Sequence, residues 1–276
     1  MTKYVLTGAT GNLGRIAAED LLARVPVSQL SVVARDPAKA RGLAERGVDV
    51  RWGDYGRPES LVPAFTGAEV LLFVSGSDLN PGVRPVQHRA VVDAAVAAGV
   101  RRIVYTSAIH ASASDGLAAD HHYTEAAIRA SGLDYTFLRN SFYTDFFAGL
   151  GLRQARGGEI TAAAGEHALN TATIRDFALA ASAAMTEDST ATAQNRVYEL
   201  RGPLWTYPEL AAALTAATGK TVRYREVSDR ELGPLGTLFP MVRADALATP
   251  APDLESLLGR PATTIGAAVA RLAAAR

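Results

Sequence analysis

The chain of 276 residues contains no cysteine, which excludes disulfide bonds, thiol nucleophiles and thiolate metal sites. The 28 Lys and Arg residues equal the 28 Asp and Glu residues in number. This balance argues against a basic surface that binds nucleic acid and against a polybasic segment that contacts a membrane. No apolar run reaches the ~18 residues that a transmembrane helix needs. The first residues predict a strand rather than a signal peptide. We therefore expect a cytoplasmic protein with neither nucleic acid nor membrane as a partner.

Lysine is scarce, with only Lys3, Lys39 and Lys220 in the chain. None of them lies four residues after a tyrosine, so the Tyr–Lys pair with which many reductases protonate a carbonyl oxygen is missing. The five histidines include no H-x-x-x-H or H-E-x-x-H spacing, and we therefore expect no metal site. These absences argue against ketone reduction by a Tyr–Lys proton relay.

The beginning of the chain, MTKYVLTGATGNLGR, is its most informative stretch. A short β-rich run, Tyr4–Thr7, precedes three glycines spaced by three residues, and helical composition follows over Arg15–Ala23. Strand, glycine turn and helix form the context of a dinucleotide-binding turn, in which the helix N–H groups face a pyrophosphate. The alternative is a plain strand–turn–helix joint. The residues that we predict to bind the pyrophosphate are Gly8, Thr10, Gly11, Asn12, Leu13 and Gly14.

The choice of coenzyme depends on the end of the second predicted strand, Leu30–Ala34. NAD sites usually place an acid about twenty residues after the glycines to hold the ribose 2′-hydroxyl, whereas a nearby Arg accommodates a 2′-phosphate. This chain has Arg35 at that point and Lys39 shortly after it. We therefore predict NADPH as the cofactor, with both cations at the phosphate. The alternative is a solvated Arg35 beside Asp36.

Four further predicted strands alternate with helical segments, at residues 49–52, 70–74, 102–106 and 135–139. This alternation predicts an α/β fold with a doubly wound parallel sheet of the Rossmann type. Past about residue 145 the elements become shorter and less regular. We predict a Rossmann domain over residues 1–145 and a smaller C-terminal α/β lobe over residues 146–276 that binds the substrate. The alternative is that strands of this second half return to the main sheet.

Polar and small residues follow several of these strands, where ligands bind in open α/β sheets. We predict that Asp54 holds the adenine end of the cofactor, although a turn-forming Asp is the alternative. The remaining residues that we predict to bind the cofactor are Ser75, Gly76, Ser77, Thr106, Ser107, Arg139 and Asn140.

Asn140 and Tyr143 are our predicted catalytic residues. Asn140 would donate a hydrogen bond to the acceptor or to the nicotinamide carboxamide, or would only cap the strand end. Tyr143 belongs to an aromatic cluster with Phe142, Phe146 and Phe147, on which a flat acceptor could stack. The alternative is that these rings are core residues that join the two lobes.

Several motifs resemble the NmrA-like group of atypical short-chain dehydrogenase/reductases: TGATGNLG, VVARDPAKA, GDYGRPESL and RRIVYTSA. The stretch His121–Phe147, with its H-x-x-T-E and L-R-N-x-x-Y patterns, is similar to the branch of type 2 NAD(P)H:quinone oxidoreductases and triphenylmethane reductases. The resemblance weakens after Gly233. It implies NADPH on a Rossmann domain, a small C-terminal lobe that forms the acceptor cleft, and a packing or capping role for His121.

A quinone or a cationic dye removes the need for a proton relay, because the reduced quinone is protonated by water and a carbocation takes up hydride alone. We therefore predict an NADPH-dependent oxidoreductase, monomeric or homodimeric, that transfers hydride to a small aromatic or quinone acceptor. The alternative is a non-catalytic NmrA-type redox sensor that binds NAD(P) and acts through a protein partner. The aromatic residues after the sixth strand favour the reductase.

Overall fold

The computed structural model describes residues 3–78, 80–113, 118–187 and 195–275. Within these residues the strands are β1 (Tyr4–Thr7), β2 (Leu30–Ala34), β3 (Asp49–Trp52), β4 (Val70–Phe73), β5 (Arg102–Ala108), β6 (Asp134–Asn140), β7 (Glu159–Ala162), β8 (Arg196–Leu200) and β9 (Arg223–Glu226). The α-helices are α1 (Asn12–Arg24), α2 (Arg41–Ala44), α3 (Leu61–Phe65), α4 (Val83–Ala97), α5 (Ala119–Ala130), α6 (Thr144–Gln154), α7 (Ile174–Thr186), α8 (Tyr207–Thr218), α9 (Phe239–Arg243), α10 (Asp253–Leu258) and α11 (Ile265–Ala274).

Seven strands form the main sheet in the order β3-β2-β1-β4-β5-β6-β8. The pairs from β3 to β6 are all parallel. This arrangement confirms the predicted doubly wound sheet of six strands and adds β8 beside β6. The direction of winding reverses between β1 and β4, and the carboxyl ends of strands at such a point form the usual ligand-binding edge.

The apolar runs of the sequence became central strands because both of their faces are covered. Every residue of β2 and β4 is buried, whereas β3, at the edge of the sheet, is exposed or half-buried throughout. On one face, α3 and α4 cover a core that includes the rings of Phe65, Phe73 and Phe137. Packing in this core fixes the positions of the strands and therefore of their carboxyl ends.

The chain divides into two compact units. The first consists of Met1–Asn140 and Phe177–Glu199 and contains the main sheet; the second consists of Ser141–Asp176 and Leu200–Arg276. By contacts, therefore, the chain divides after Asn140, and most of β8 belongs with the sheet. The functional division at residue 145 stays a prediction.

In the second unit β7 and β9 pair in parallel, and α6, α8 and α11 pack together. The side chain of Thr206 caps α8, with Glu209 completing a capping box. Asp176, fully buried, accepts hydrogen bonds from Arg260 at 2.7 Å and from the backbone amide of Thr263 at 3.0 Å. These contacts tie the start of α7 to the segment before α11.

None of the helices in the described residues is long and apolar enough to span a membrane.

Candidate cofactor site

The glycine turn after β1 has the tight geometry that its sequence predicts. Gly8 adopts a positive φ of 67°, and the amide of Gly11 donates to its carbonyl oxygen at 2.9 Å. A Cβ at Gly14 would lie 2.2 Å from that same oxygen, a separation that no side chain tolerates. The turn therefore needs glycine at Gly8 for its backbone conformation and at Gly14 for its close approach.

Among the described residues, no side chain caps the amino end of α1. Gly11 occupies the N-cap position, no side chain caps the helix, and its first turn contains no acidic residue. The first amides of a helix have no partner within the helix and favour an anion. Thr10 and Asn12 are exposed beside them, while Leu13 is buried. The segment is thus suited to a phosphate group.

Arg35 lies directly after β2 and is exposed. In the described part of the chain its guanidinium makes no hydrogen bond and no ion pair. Asp36, the neighbour that could have neutralised it, instead accepts from the amide of Ala38 at 3.1 Å and lies 4.0 Å from Lys39. The cation at the end of β2 therefore stays available to a ligand.

A clamp that the sequence did not reveal joins the ends of β1 and β4. The hydroxyl of Tyr55 donates to the carbonyl oxygen of Val74 at 2.8 Å and lies 2.6 Å from the hydroxyl of Thr7, which accepts from the amide of Val74 at 3.0 Å. Burial raises the pKa of Tyr55, so this hydroxyl stays protonated. In addition, a Cβ at Gly8 would lie 3.3 Å from the Val74 side chain. The glycine turn and the loop after β4 are therefore direct neighbours.

The first amides of the loop after β4 donate hydrogen bonds to acceptors within the protein. The amide of Ser75 donates to the hydroxyl of Thr106 at 2.8 Å, and the amide of Gly76 donates to Nε2 of His88 at 2.8 Å. Ser77 is exposed at the sheet edge. The Thr106 hydroxyl therefore holds the loop, and Ser75 and Gly76 would meet a ligand through carbonyl oxygens or a side chain rather than through their amides.

Asp54 makes the contacts of a turn-forming aspartate, which was the alternative to a role at the adenine end. Its Oδ1 accepts from the amide of Gly56 at 2.9 Å, and its own amide donates to the hydroxyl of Ser60 at 2.9 Å. These contacts fix the loop after β3. A role for Asp54 at the adenine end stays a prediction.

Arg139, a predicted cofactor residue, is paired with two carboxylates of the protein. Its guanidinium forms two hydrogen bonds to the buried carboxylate of Glu125, at 2.9 and 2.8 Å, and a third to Glu199 at 3.1 Å. The hydroxyl of Ser107 also donates to Glu125, at 2.6 Å. The hydrogen bonds that Arg139 donates, first to Glu125 and then to Glu199, raise its pKa. The guanidinium of Arg139 is thus committed to Glu125 and Glu199, and the Ser107 hydroxyl can only accept. A role for Arg139 at the cofactor stays a prediction.

Asn140 ends β6 with an unsatisfied amide oxygen. The residue is 7% exposed, and its Oδ1 has no partner in the described structure. Its backbone carbonyl accepts from the amide of Ile109 at 3.0 Å, which fixes the strand end without using the side chain. At the end of the adjacent strand, Nε2 of His110 is likewise buried and unpartnered, on a backbone with a positive φ of 64°. Buried polar groups normally have partners, so each of these two atoms is open to a hydrogen bond from a ligand or a water.

The aromatic residues after β6 belong to the second unit and do not all behave alike. Phe147 is a core residue, 2% exposed and packed against Trp205 at a ring distance of 5.4 Å. Tyr143 and Phe146 are 41% and 49% exposed. Phe147 therefore belongs to the core of the second unit, whereas Tyr143 and Phe146 present their rings to solvent. Whether they bind the acceptor stays a prediction.

His121 lies in the core, 9% exposed, with Nδ1 2.8 Å from the hydroxyl of Tyr105. Burial, followed by Arg84, lowers the pKa of His121 to about 4. This is the packing role expected for it. Nowhere in the described residues do three His, Cys, Asp or Glu side chains form a group that could hold a metal ion.

Comparison with known proteins places the same features in a family. A family model described as NAD(P)H-binding matches residues 8–188. The chain is 38% identical to quinone oxidoreductase 2 of Escherichia coli (strain K12), over 97% of each chain. A triphenylmethane reductase of Citrobacter sp., solved with NADP(H), is 38% identical with a TM-score of 0.90, covering 98% of this chain and 99% of that one. An NADPH-dependent quinone oxidoreductase of Escherichia coli, solved with NADPH, is 38% identical with a TM-score of 0.86 over the same shares.

Proposed function

The chain belongs to the NAD(P)H-binding family, in its NmrA-like short-chain dehydrogenase/reductase group, and from that premise we propose that it is an NADPH-dependent reductase that transfers hydride to a quinone or a similar conjugated electrophile. The observation that carries the proposal is a dinucleotide cradle at the sheet edge in a chain without a Tyr–Lys proton relay. The names of the relatives, quinone oxidoreductase and triphenylmethane reductase, support the class of acceptor.

The residues present fit NADPH. The uncapped amides that begin α1 would hold the pyrophosphate. Gly11 would let the pyrophosphate approach the backbone, since it has no side chain and a Cβ there would lie 3.3 Å from the Gly8 carbonyl oxygen. Arg35 would pair with the 2′-phosphate, since no described residue forms an ion pair with it, and Lys39 would add to the positive potential there. The hydroxyls of Ser75 and Ser77 would line the ribose side.

Bound NADPH supplies the hydride from its nicotinamide ring. Asn140 would orient the carboxamide or the acceptor through its buried amide, whose oxygen lacks a partner. Neither class of acceptor needs a side-chain acid, because water can protonate a reduced quinone and a carbocation needs no proton. The protein then acts chiefly by holding two flat partners in register and excluding water around them.

The acceptor would be bound by the second unit, which we propose as the functional lobe that begins near residue 145. Tyr143 and Phe146 are its exposed rings at the beginning of α6, and exposed aromatic faces are suited to stacking on a flat, conjugated molecule. The non-catalytic sensor is not favoured, because the relatives that are 38% identical over nearly the whole chain are named as a quinone oxidoreductase and a triphenylmethane reductase.

The direct test mixes purified protein with NADPH or NADH and a panel of quinones, and follows the loss of nicotinamide absorbance. We expect turnover with NADPH. Tyr143→Ala should raise the quinone KM several-fold while leaving the NADPH KM unchanged. The matched control is Tyr123→Ala, which removes another exposed tyrosine, on α5, with 53% exposure. Tight NADPH binding without turnover on any quinone would instead identify a sensor.

A further inference from the structure

His88 is a buried histidine that the proposed chemistry does not use. It lies on α4, is 1% exposed, and packs edge-on against Phe73 at a ring distance of 4.9 Å and against Tyr105 at 5.8 Å. A histidine in such a place is usually a core residue. Here, however, its Nε2 accepts from the amide of Gly76 at 2.8 Å, which is a residue of the loop predicted to line the cofactor.

The hydrogen bonds around His88 determine its protonation. The Gly76 amide can only donate, so Nε2 must accept and the single ring proton of a neutral imidazole lies on Nδ1. Nδ1 is 2.8 Å from the hydroxyl of Thr124. That hydroxyl donates its own hydrogen bond to the carbonyl oxygen of Asp120 at 2.7 Å, so it can accept one from Nδ1. An imidazolium would place a second donor against the Gly76 amide.

The surroundings of His88 also keep it neutral. Burial, followed by the nearby His121 and Arg84, lowers the pKa of His88 to about 3. The other titratable group that faces it is Tyr105, whose hydroxyl lies 3.4 Å from Nδ1. His88 therefore remains an acceptor for Gly76 throughout the neutral pH range.

The contact with His88 orients the peptide between Ser75 and Gly76. In a planar trans peptide the carbonyl points away from the following N–H, so the Ser75 carbonyl oxygen points away from the buried ring. The preceding peptide is held in the same manner, with the Ser75 amide on Thr106 and the Val74 carbonyl on Tyr55. Among the residues that the structure describes, the Ser75 carbonyl oxygen accepts no hydrogen bond. It is therefore a fixed, free acceptor beside the glycine turn.

We propose that His88 is a positioning residue, which holds Gly76 so that the Ser75 carbonyl oxygen accepts a hydrogen bond from the nicotinamide half of the coenzyme. The donor would be a ribose hydroxyl or the carboxamide N–H₂. This inference rests on the proposed function, because it assumes that NADPH binds at this edge of the sheet. His88 itself does not touch the coenzyme and acts only through Gly76.

The test measures by calorimetry how tightly NADP⁺ and adenosine 2′,5′-bisphosphate bind to four proteins: the wild type, His88→Ala, His88→Gln and Tyr105→Phe. His88→Ala should weaken NADP⁺ binding about 5-fold to 10-fold, the worth of one hydrogen bond, and leave the bisphosphate unaffected, because that ligand lacks the nicotinamide half. His88→Gln should restore most of the affinity, since its amide oxygen can accept from Gly76. Tyr105→Phe is the control: it alters the same core and leaves the contact with Gly76 in place.

Equal weakening of both ligands in His88→Ala would overturn the proposal, because it would reveal only a damaged fold. Unchanged NADP⁺ binding would overturn it as well. If His88→Ala does not fold, His88→Asn replaces it, since its shorter side chain stays polar but does not reach Gly76. A wild type that binds neither ligand would refute the proposed function itself, a result that is distinct from either of these.

Discussion

Replacing Arg35 by Ala should impair catalysis with NADPH but not with NADH. The guanidinium has no partner in the described structure, so its removal breaks no internal contact and should leave the stability of the fold nearly unchanged. NADPH would lose a charge-assisted contact with the 2′-phosphate, and such contacts contribute about 1.5–3 kcal/mol. That corresponds to a loss of roughly 10-fold to 150-fold in kcat/KM with NADPH. NADH has no 2′-phosphate and should be used equally well by both proteins.

The assay compares kcat/KM for the two nucleotides with one quinone at several salt concentrations. The NADPH preference of the wild type should shrink as salt rises, because Arg35 is exposed and screening weakens its attraction. Arg89→Ala is the matched control, since it removes another exposed arginine, with 67% side-chain exposure on α4. Equal losses with NADPH and NADH in Arg35→Ala would refute the assignment of this residue to the 2′-phosphate.

Three further predictions concern the cradle and its supports. Gly14→Ala places a Cβ 2.2 Å from the Gly8 carbonyl oxygen, so it should abolish nucleotide binding in calorimetry; binding that persists would contradict the assigned turn. Asp176→Asn should lower the free energy of unfolding by about 2 kcal/mol in urea titrations. Although burial raises the pKa of Asp176, hydrogen bonds led by Arg260 lower it overall. The wild-type advantage should therefore be complete above the ordinary carboxyl range near pH 4, and it should decline progressively as pH falls from there through the lowered pKa of the folded state; an advantage that does not decline in acid would exclude the ion pair as its cause. Glu125→Gln removes the carboxylate shared by Arg139 and by Arg129, whose Nη2 lies 3.0 Å from it. The change should cost about 3 kcal/mol, and an unchanged melting temperature would show that the ion network does not stabilise the fold.

The fold could be predicted from the sequence wherever the information is local. The runs Leu30–Ala34 and Val70–Phe73 are apolar at nearly every position, which is typical of strands covered on both faces. Glycine spacing likewise predicts the turn after β1. The helices α9 and α10 have five and six residues. They are too short for a helical repeat to be recognised, so the sequence does not predict them.

The candidate site was less predictable, because several of its contacts join residues far apart in the chain. Arg139 lies near the carboxyl end of β6, where cofactor residues are common. Its charge, however, is neutralised by Glu125, which lies fourteen positions earlier in the chain. Nothing local marks Tyr55 as the clamp of the Val74 carbonyl. His88 resembles any core histidine on a helix until the fold brings Gly76 onto its ring.

The most direct measurement of the central claim uses NADPH labelled with deuterium at the transferred position and a cationic triarylmethane dye as the acceptor. The reduced dye keeps the transferred atom on carbon, where mass spectrometry detects it. Direct transfer from a coenzyme bound at the sheet edge predicts one deuterium on the central carbon of the product. Bleached dye that carries hydrogen from water, or bound coenzyme that never reduces the dye, would contradict the account.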